Sequence, residues 1–160
     1  MTDAQNVQGG ARVRVPPPLV FVGGVTVGVA LSRLVWPLRA GGERWLGVAF
    51  GVVTIAAGAG LIAWAIGLFR RSGQDPAPWK PSPALVVEGP YKRTRNPMYL
   101  GMTLIQVGVG FAANNLWISL LAAVSLSVVH HAAVLPEEAY LTGRFGDAYR
   151  AYRASVRRYL

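Results

Sequence analysis

The sequence contains no cysteine. That absence excludes a disulfide framework, a cysteine-ligated iron–sulfur cluster, a zinc–thiolate site and a cysteine nucleophile. Charge is scarce as well. Only 14% of the 160 residues are Asp, Glu, Lys or Arg, against about a quarter in soluble domains. Acidic residues are the scarcest part, seven against sixteen Lys and Arg, for a net charge of +9. The nineteen Gly and eleven Pro follow no collagen-like period and sit within apolar sequence, which excludes a disordered chain. Gly58-Ala59-Gly60-Leu61-Ile62-Ala63 loosely matches a dinucleotide-binding turn. It lies in an apolar run with no strand before it and no acidic residue at the right distance, so that reading is rejected. No metal site is expected.

What is present is a set of bilayer-length apolar runs. Four spans are expected, at about 17–36, 46–69, 97–113 and 116–135. A spanning helix needs about 20 residues, so the third is expected to fall short of full bilayer thickness. Open strands are excluded there because unpaired backbone groups cost several kcal/mol each in lipid. The fold class expected is all-α integral membrane, with a C-terminal hairpin turned at Asn114-Asn115 and short amphipathic helices after it. Gly24-x-x-x-Gly28 and Gly47-x-x-x-Gly51 read as small-residue packing positions. Trp36, Trp45, Trp79 and Trp117 stand near span ends, where an aromatic belt is expected. Residues 1–15 read as a disordered tail and 16–160 as one membrane domain. No small-residue cleavage site follows the first run, which therefore reads as a retained anchor.

The cations divide unevenly. Four spans place Arg12, Arg14, the six between spans two and three and the five after span four on one side. They leave Arg33, Arg39 and Arg44 on the other. The positive-inside rule makes the larger group cytoplasmic, together with both termini. Charges that flank spans suit anionic lipid headgroups, and no nucleic-acid partner is expected.

Two polar segments carry the chemistry, 85–101 and 136–157. In the first, Asn96-Pro97 reads as an N-cap followed by a first-turn proline. Free N–H groups there, with Arg93 and Arg95, suit a carboxylate, and Tyr91 and Tyr99 add aromatic faces. Helix initiation beside a basic flank is the plain alternative. In the second, Pro136 reads as a first-turn proline before Glu137 and Glu138, Gly146 ends that helix and Asp147 caps the next. Leu141, Phe145, Tyr149, Tyr152 and Val156 recur at spacings of three or four, an amphipathic pattern suited to the membrane surface or to covering a site. An acidic pair beside an acidic leaflet is unfavourable unless it serves something cationic. Residues 72–84, rich in proline, read as an extended connection.

Gly89-Pro90-Tyr91-Lys92, Arg95-Asn96-Pro97, Tyr99 and Gly101 precede a hairpin. Glu137-Glu138, Leu141, Phe145-Gly146, Tyr149 and Tyr152 follow it. In this order and spacing, the chain over 85–160 resembles the isoprenylcysteine carboxyl methyltransferase and phospholipid methyltransferase superfamily. The resemblance implies a membrane-embedded methyltransferase using S-adenosylmethionine, with the cofactor pocket built from the C-terminal hairpin and the cytoplasmic segments around it. It implies cofactor contacts at Tyr91, Arg95, Asn96, Pro97, Tyr99, Gly101, Glu138, Tyr149 and Tyr152. Arg95 would hold the methionine carboxylate and Glu138 the ribose hydroxyls or the ammonium. Glu137 and Arg144 are placed on the acceptor side. Asn96 stands where many members carry His, which removes a titrating base from that position. The acceptor is lipophilic or small, and carboxyl, amine and thiol acceptors stay open. A carboxylate acceptor, ionised at neutral pH, needs no base; an amine would, with Glu137 or His131 as candidates. A nicotinamide-dependent membrane reductase would need a further basic phosphate-binding segment, and a scaffold would need neither polar motif.

Overall fold

The computed structural model describes residues 10–159. Six α-helices follow in order: α1 Pro17–Leu34, α2 Arg44–Arg71, α3 Pro97–Ala112, α4 Leu116–Val129, α5 Leu135–Phe145 and α6 Asp147–Ser155. A short 3-10 turn, Gly89–Lys92, precedes α3. Among the described residues there is no strand, only a parallel bridge between Thr94 and Arg157. Among the described residues, three helical runs are long and apolar enough to cross a membrane: Pro17–Leu34, Arg44–Arg71 and Leu116–Phe145. At 1.5 Å per residue, the 16-residue α3 is about 24 Å long, less than a bilayer core of about 30 Å.

The run Leu116–Phe145 is continuous, whereas a break was expected before Pro136. Pro136 does occupy the first turn of α5, but a π-helical turn, His130–Val134, carries α4 directly into it. Proline has no N–H, so in an α-helix it leaves the carbonyl four residues earlier without a partner. Here that carbonyl belongs to Ala132, and it accepts the backbone N–H of Arg14 at 3.2 Å. The N-terminal segment thus replaces the bond that the proline removes. Of the expected tail, residues 1–9 lie outside the described residues, and residues 10–15 are docked. Ala11 is buried and donates its N–H to Pro78 O at 2.7 Å. Val13 packs on a cluster of Phe21, Tyr99, Val129, Ala133 and Val134. A Cβ at Gly10 would sit 2.1 Å from the Trp79 carbonyl carbon, so only glycine fits this crossing.

Glycine also sets the approach of α2 to α3. Gly51 faces Gly108 and Gly58 faces Gly101, and an added Cβ at any of the four would lie 2.5–2.7 Å from the opposing glycine's carbonyl oxygen. The two pairs are seven residues apart on both helices, two turns, so they fall on one face. Of the spacings read from sequence, Gly24 faces Ser125 and Gln106, and Gly28 faces Ile118; both sit against α4 or α3 as packing positions. Gly58→Ala is expected to lower the thermal midpoint in detergent by the equivalent of about 1–3 kcal/mol. Gly60→Ala, which meets nothing within 4 Å, should be silent or mildly stabilising. Equal midpoints would show that the glycine seam does not set the spacing.

α3 and α4 form the expected hairpin, with Asn114 at φ +53° in the turn. At that end Ala40 N–H donates to Asn114 Oδ1 at 3.0 Å and Trp117 Nε1 to Trp36 O at 2.8 Å. Large apolar side chains such as Leu19, Val53, Trp64 and Leu120 are exposed along the helices, as suits a chain whose solvent is lipid. The polar segments 72–97 and 136–159 gather at the opposite end.

Candidate functional site

The site begins with a strap. The Thr94 hydroxyl donates to Arg158 O at 3.1 Å, Arg95 N–H to Arg157 O at 3.0 Å, and Asn96 Nδ2 to Arg158 O at 2.9 Å. These bonds tie the segment entering α3 to the one leaving α6. Asn96 is the N-cap residue of α3 by position, but its side chain makes no capping bond. The expected capping role thus gives way to the strap. Asp147 is likewise the first residue of α6 rather than its cap, and it pairs with Arg150 at 2.6 Å.

Strapping sets the electrostatics. Glu138 accepts Arg95 Nη2 at 2.8 Å. It also accepts Arg158 as a fork, Nε at 2.9 Å on one oxygen and Nη2 at 2.8 Å on the other. Arg95 Nη1 donates to Val156 O at 2.6 Å and Arg153 O at 3.0 Å. The side chains of Arg95 and Glu138 are each 8% exposed. The carboxylate's hydrogen bond holds the Arg158 guanidinium even further above neutrality than usual. Glu138 is therefore committed to both arginines, whereas the Arg95 Nε is buried without a partner.

Glu137 differs. It accepts a short hydrogen bond from the Tyr99 hydroxyl and has no cation among its hydrogen-bonded partners. Nearby, Tyr91 is buried, and its hydroxyl has no partner. Burial, with the Glu137 charge second, pushes that phenol well above its ordinary range, so it remains a hydrogen-bond donor at any working pH. Burial raises Tyr149 to about 12 and raises Tyr152 as well. The Tyr152 hydroxyl donates to Tyr91 O at 2.8 Å, and the rings of Tyr149 and Tyr152 lie 6.0 Å apart.

These groups surround one cavity of about 840 Å³, its open mouth included. Tyr91, Arg95, Asn96, Pro97, Tyr99, Glu137, Glu138, Tyr149 and Tyr152 all line it. Two expected site residues do not. Gly101 faces Gly58 and Ile62 on α2. Arg144 donates Nε to Ser82 O at 3.1 Å, beside the Tyr140 hydroxyl, which accepts Ser82 N–H at 3.1 Å. His131 binds Ser127 O at 2.8 Å and is not on the wall either.

Sequence reasoning missed three parts of the site. Arg158 looked like one more flanking cation; the signal was a basic residue at strap distance from an acidic pair. The stretch 72–84, read as a plain connection, supplies a wall through Asp75, Pro76, Ala77, Pro78 and Ser82. Its signal was Asp75-Pro76-Ala77, an Asx turn in which Ala77 N–H donates to Asp75 Oδ1 at 2.9 Å. Ala11, from the expected tail, completes the lining.

A profile of the phospholipid methyltransferase family matches residues 46–148. The chain belongs to this family. A Protein-S-isoprenylcysteine O-methyltransferase of Schizosaccharomyces pombe is 35% identical over 72 residues, which is 45% of this chain and 30% of that relative. The chain thus matches less than a third of that relative's length. No solved structure matches. The family match takes in Tyr91, Arg95, Tyr99 and both glutamates. It leaves α1, Tyr149, Tyr152 and Arg158 outside its bounds.

Proposed function

We propose that the chain is a membrane methyltransferase that uses S-adenosylmethionine and acts on a lipophilic acceptor. The observation that carries this reading is the convergence, on one cavity, of an unpartnered buried phenol and a carboxylate free of cations, both among tyrosine rings. S-adenosylmethionine presents a carboxylate, an ammonium, two ribose hydroxyls, a flat adenine and a sulfonium, and the residues present fit each of these. The Tyr91 hydroxyl is a donor for the carboxylate. Glu137 is an acceptor for the ammonium or the ribose. The Tyr149 and Tyr152 rings suit the adenine or the positive charge. The cofactor supplies a methyl already activated by the sulfonium.

The protein's part is then to orient donor and acceptor and to keep water out. The strap and the 72–84 wall do the second. Arg95 and Glu138, each holding the other, act as positioning residues. Glu137 stands on the face open to the acceptor. A carboxylate acceptor would need nothing more from it; an amine acceptor would need it to take a proton. The alternative from another class, a nicotinamide-dependent reductase, finds no support in a cavity lined by a single arginine, Arg95, that is already paired with Glu138.

The test is Tyr91→Phe. Removing an unpartnered buried hydroxyl should leave thermal stability equal or slightly higher. Losing a hydrogen bond to a charged group should weaken S-adenosylmethionine binding by about 1.5–3 kcal/mol, roughly tenfold to a hundredfold by calorimetry. Unchanged affinity would remove Tyr91 from the cofactor site.

The orientation proposed is both termini cytoplasmic, because thirteen of the sixteen Lys and Arg flank the end that carries the cavity. A phosphatase fused after Leu160, active only across the membrane, should be silent, and a fluorescent protein that folds only in the cytoplasm should glow. The reverse pattern would invert the topology.

A further inference from the structure

The end of the molecule opposite the cavity carries three cations, and all three line one cleft. Arg33 in the last turn of α1, Arg39 in the connection that follows and Arg44 at the start of α2 line one cleft with Ser32 and Asn115. Its volume is about 1000 Å³ including the open mouth, and no carboxylate lines it. The four ion pairs among the described residues all lie elsewhere, so these arginines have no acidic partner. A second, independent feature lies at the floor. Asn115 is 8% exposed; its Nδ2 donates to Gly28 O at 3.1 Å, while its Oδ1 is buried without a partner. Directly after Arg33 in the chain, Leu34, Val35 and Trp36 are all more than half exposed.

We infer that this cleft binds the headgroup of an anionic phospholipid from the leaflet opposite the cavity. Guanidinium forks match phosphate oxygens in geometry and charge. An orphaned amide oxygen calls for a donor, which the hydroxyls of a glycerol headgroup supply and a choline headgroup does not. The exposed Leu34, Val35 and Trp36 give the acyl chains a surface that a free phosphate ion would not use. Cations on this side run against the positive-inside tendency, and a bound anion removes the cost of gathering three of them. The inference is independent of the proposed catalytic function.

The experiment is native mass spectrometry of the detergent-purified full chain, titrated with phosphatidylglycerol, phosphatidylcholine and inorganic phosphate. The parent should hold one tightly bound phosphatidylglycerol, and Arg33→Gln/Arg39→Gln/Arg44→Gln should weaken it by about tenfold or more. A control at the other end, Arg12→Gln/Arg71→Gln/Arg93→Gln, should keep it. Phosphatidylcholine should bind several-fold more weakly than phosphatidylglycerol to the parent, and inorganic phosphate should not displace the lipid. All three replaced arginines are exposed, so the fold should survive. Arg39→Glu, confined to the connection, gives a second reading should the triple variant aggregate. Parent-like lipid retention in the variants of this end, or loss only in the control, overturns the inference. Displacement by inorganic phosphate at equal concentration overturns it in favour of a free-ion site.

Discussion

Glu138→Gln is expected to be the most damaging single exchange in the protein, and to act on the fold before the chemistry. The amide would leave the Arg95 guanidinium, whose side chain is 8% exposed, with no counter-charge. Removing one partner of a buried ion pair costs about 3–5 kcal/mol. The Arg158 side of the cluster is 34% exposed and should add less. The thermal midpoint in detergent should fall steeply. The strap should loosen too, so amide exchange at 156–159 should accelerate, and cofactor affinity should drop as a consequence. Adding Arg95→Met to Glu138→Gln should recover part of the lost stability, since the stranded charge is then gone. A monodisperse Glu138→Gln protein with parent-like stability and weakened cofactor binding alone would instead make Glu138 a direct cofactor contact.

Glu137→Gln should behave in the opposite way. A glutamine side-chain oxygen still accepts the Tyr99 hydroxyl hydrogen bond, so the fold should be spared and the midpoint should move little. What is lost is the acidic group facing the cavity. If it meets the cofactor's ammonium or ribose, affinity should fall by about 1.5–3 kcal/mol. If it meets the acceptor, affinity should hold and single-turnover methyl transfer should slow. Calorimetry and a single-turnover assay on the same preparation separate the two. A variant equal to the parent in both would leave the acidic pair with a structural role only.

The two glutamates are adjacent in sequence and indistinguishable there. Their separation is tertiary. A one-residue step along α5 rotates the side chain by about 100°, turning Glu138 toward the strap and Glu137 toward Tyr99. That the two polar motifs share one site was legible, because each pairs charged and aromatic residues at the end of an apolar run, where lipid gives them no other reason to be. The helical class was legible for the same reason, the length of the runs. Arg158 was not, because a basic residue after a span satisfies the positive-inside rule without any partner. Nor was the continuity of α4 and α5 through Pro136. The hydrogen bond that makes it possible comes from Arg14, more than a hundred residues away. Gly101 misled in the other direction. It falls within a motif that reads as a binding segment, yet the close approach of Gly58 accounts for the glycine there.

The central claim, that the tyrosine-lined cavity transfers a methyl group within the membrane, is met most directly by one measurement. The purified full chain in nanodiscs of native lipid would be given methyl-labelled S-adenosylmethionine, and the label would be followed into the organic extract. The account predicts label in a lipophilic product, released by mild base if the acceptor is a carboxylate and retained if it is an amine or a thiol, with transfer strongly reduced in Tyr91→Phe. A parent protein that neither binds S-adenosylmethionine by calorimetry nor labels any lipid-extract component would contradict it.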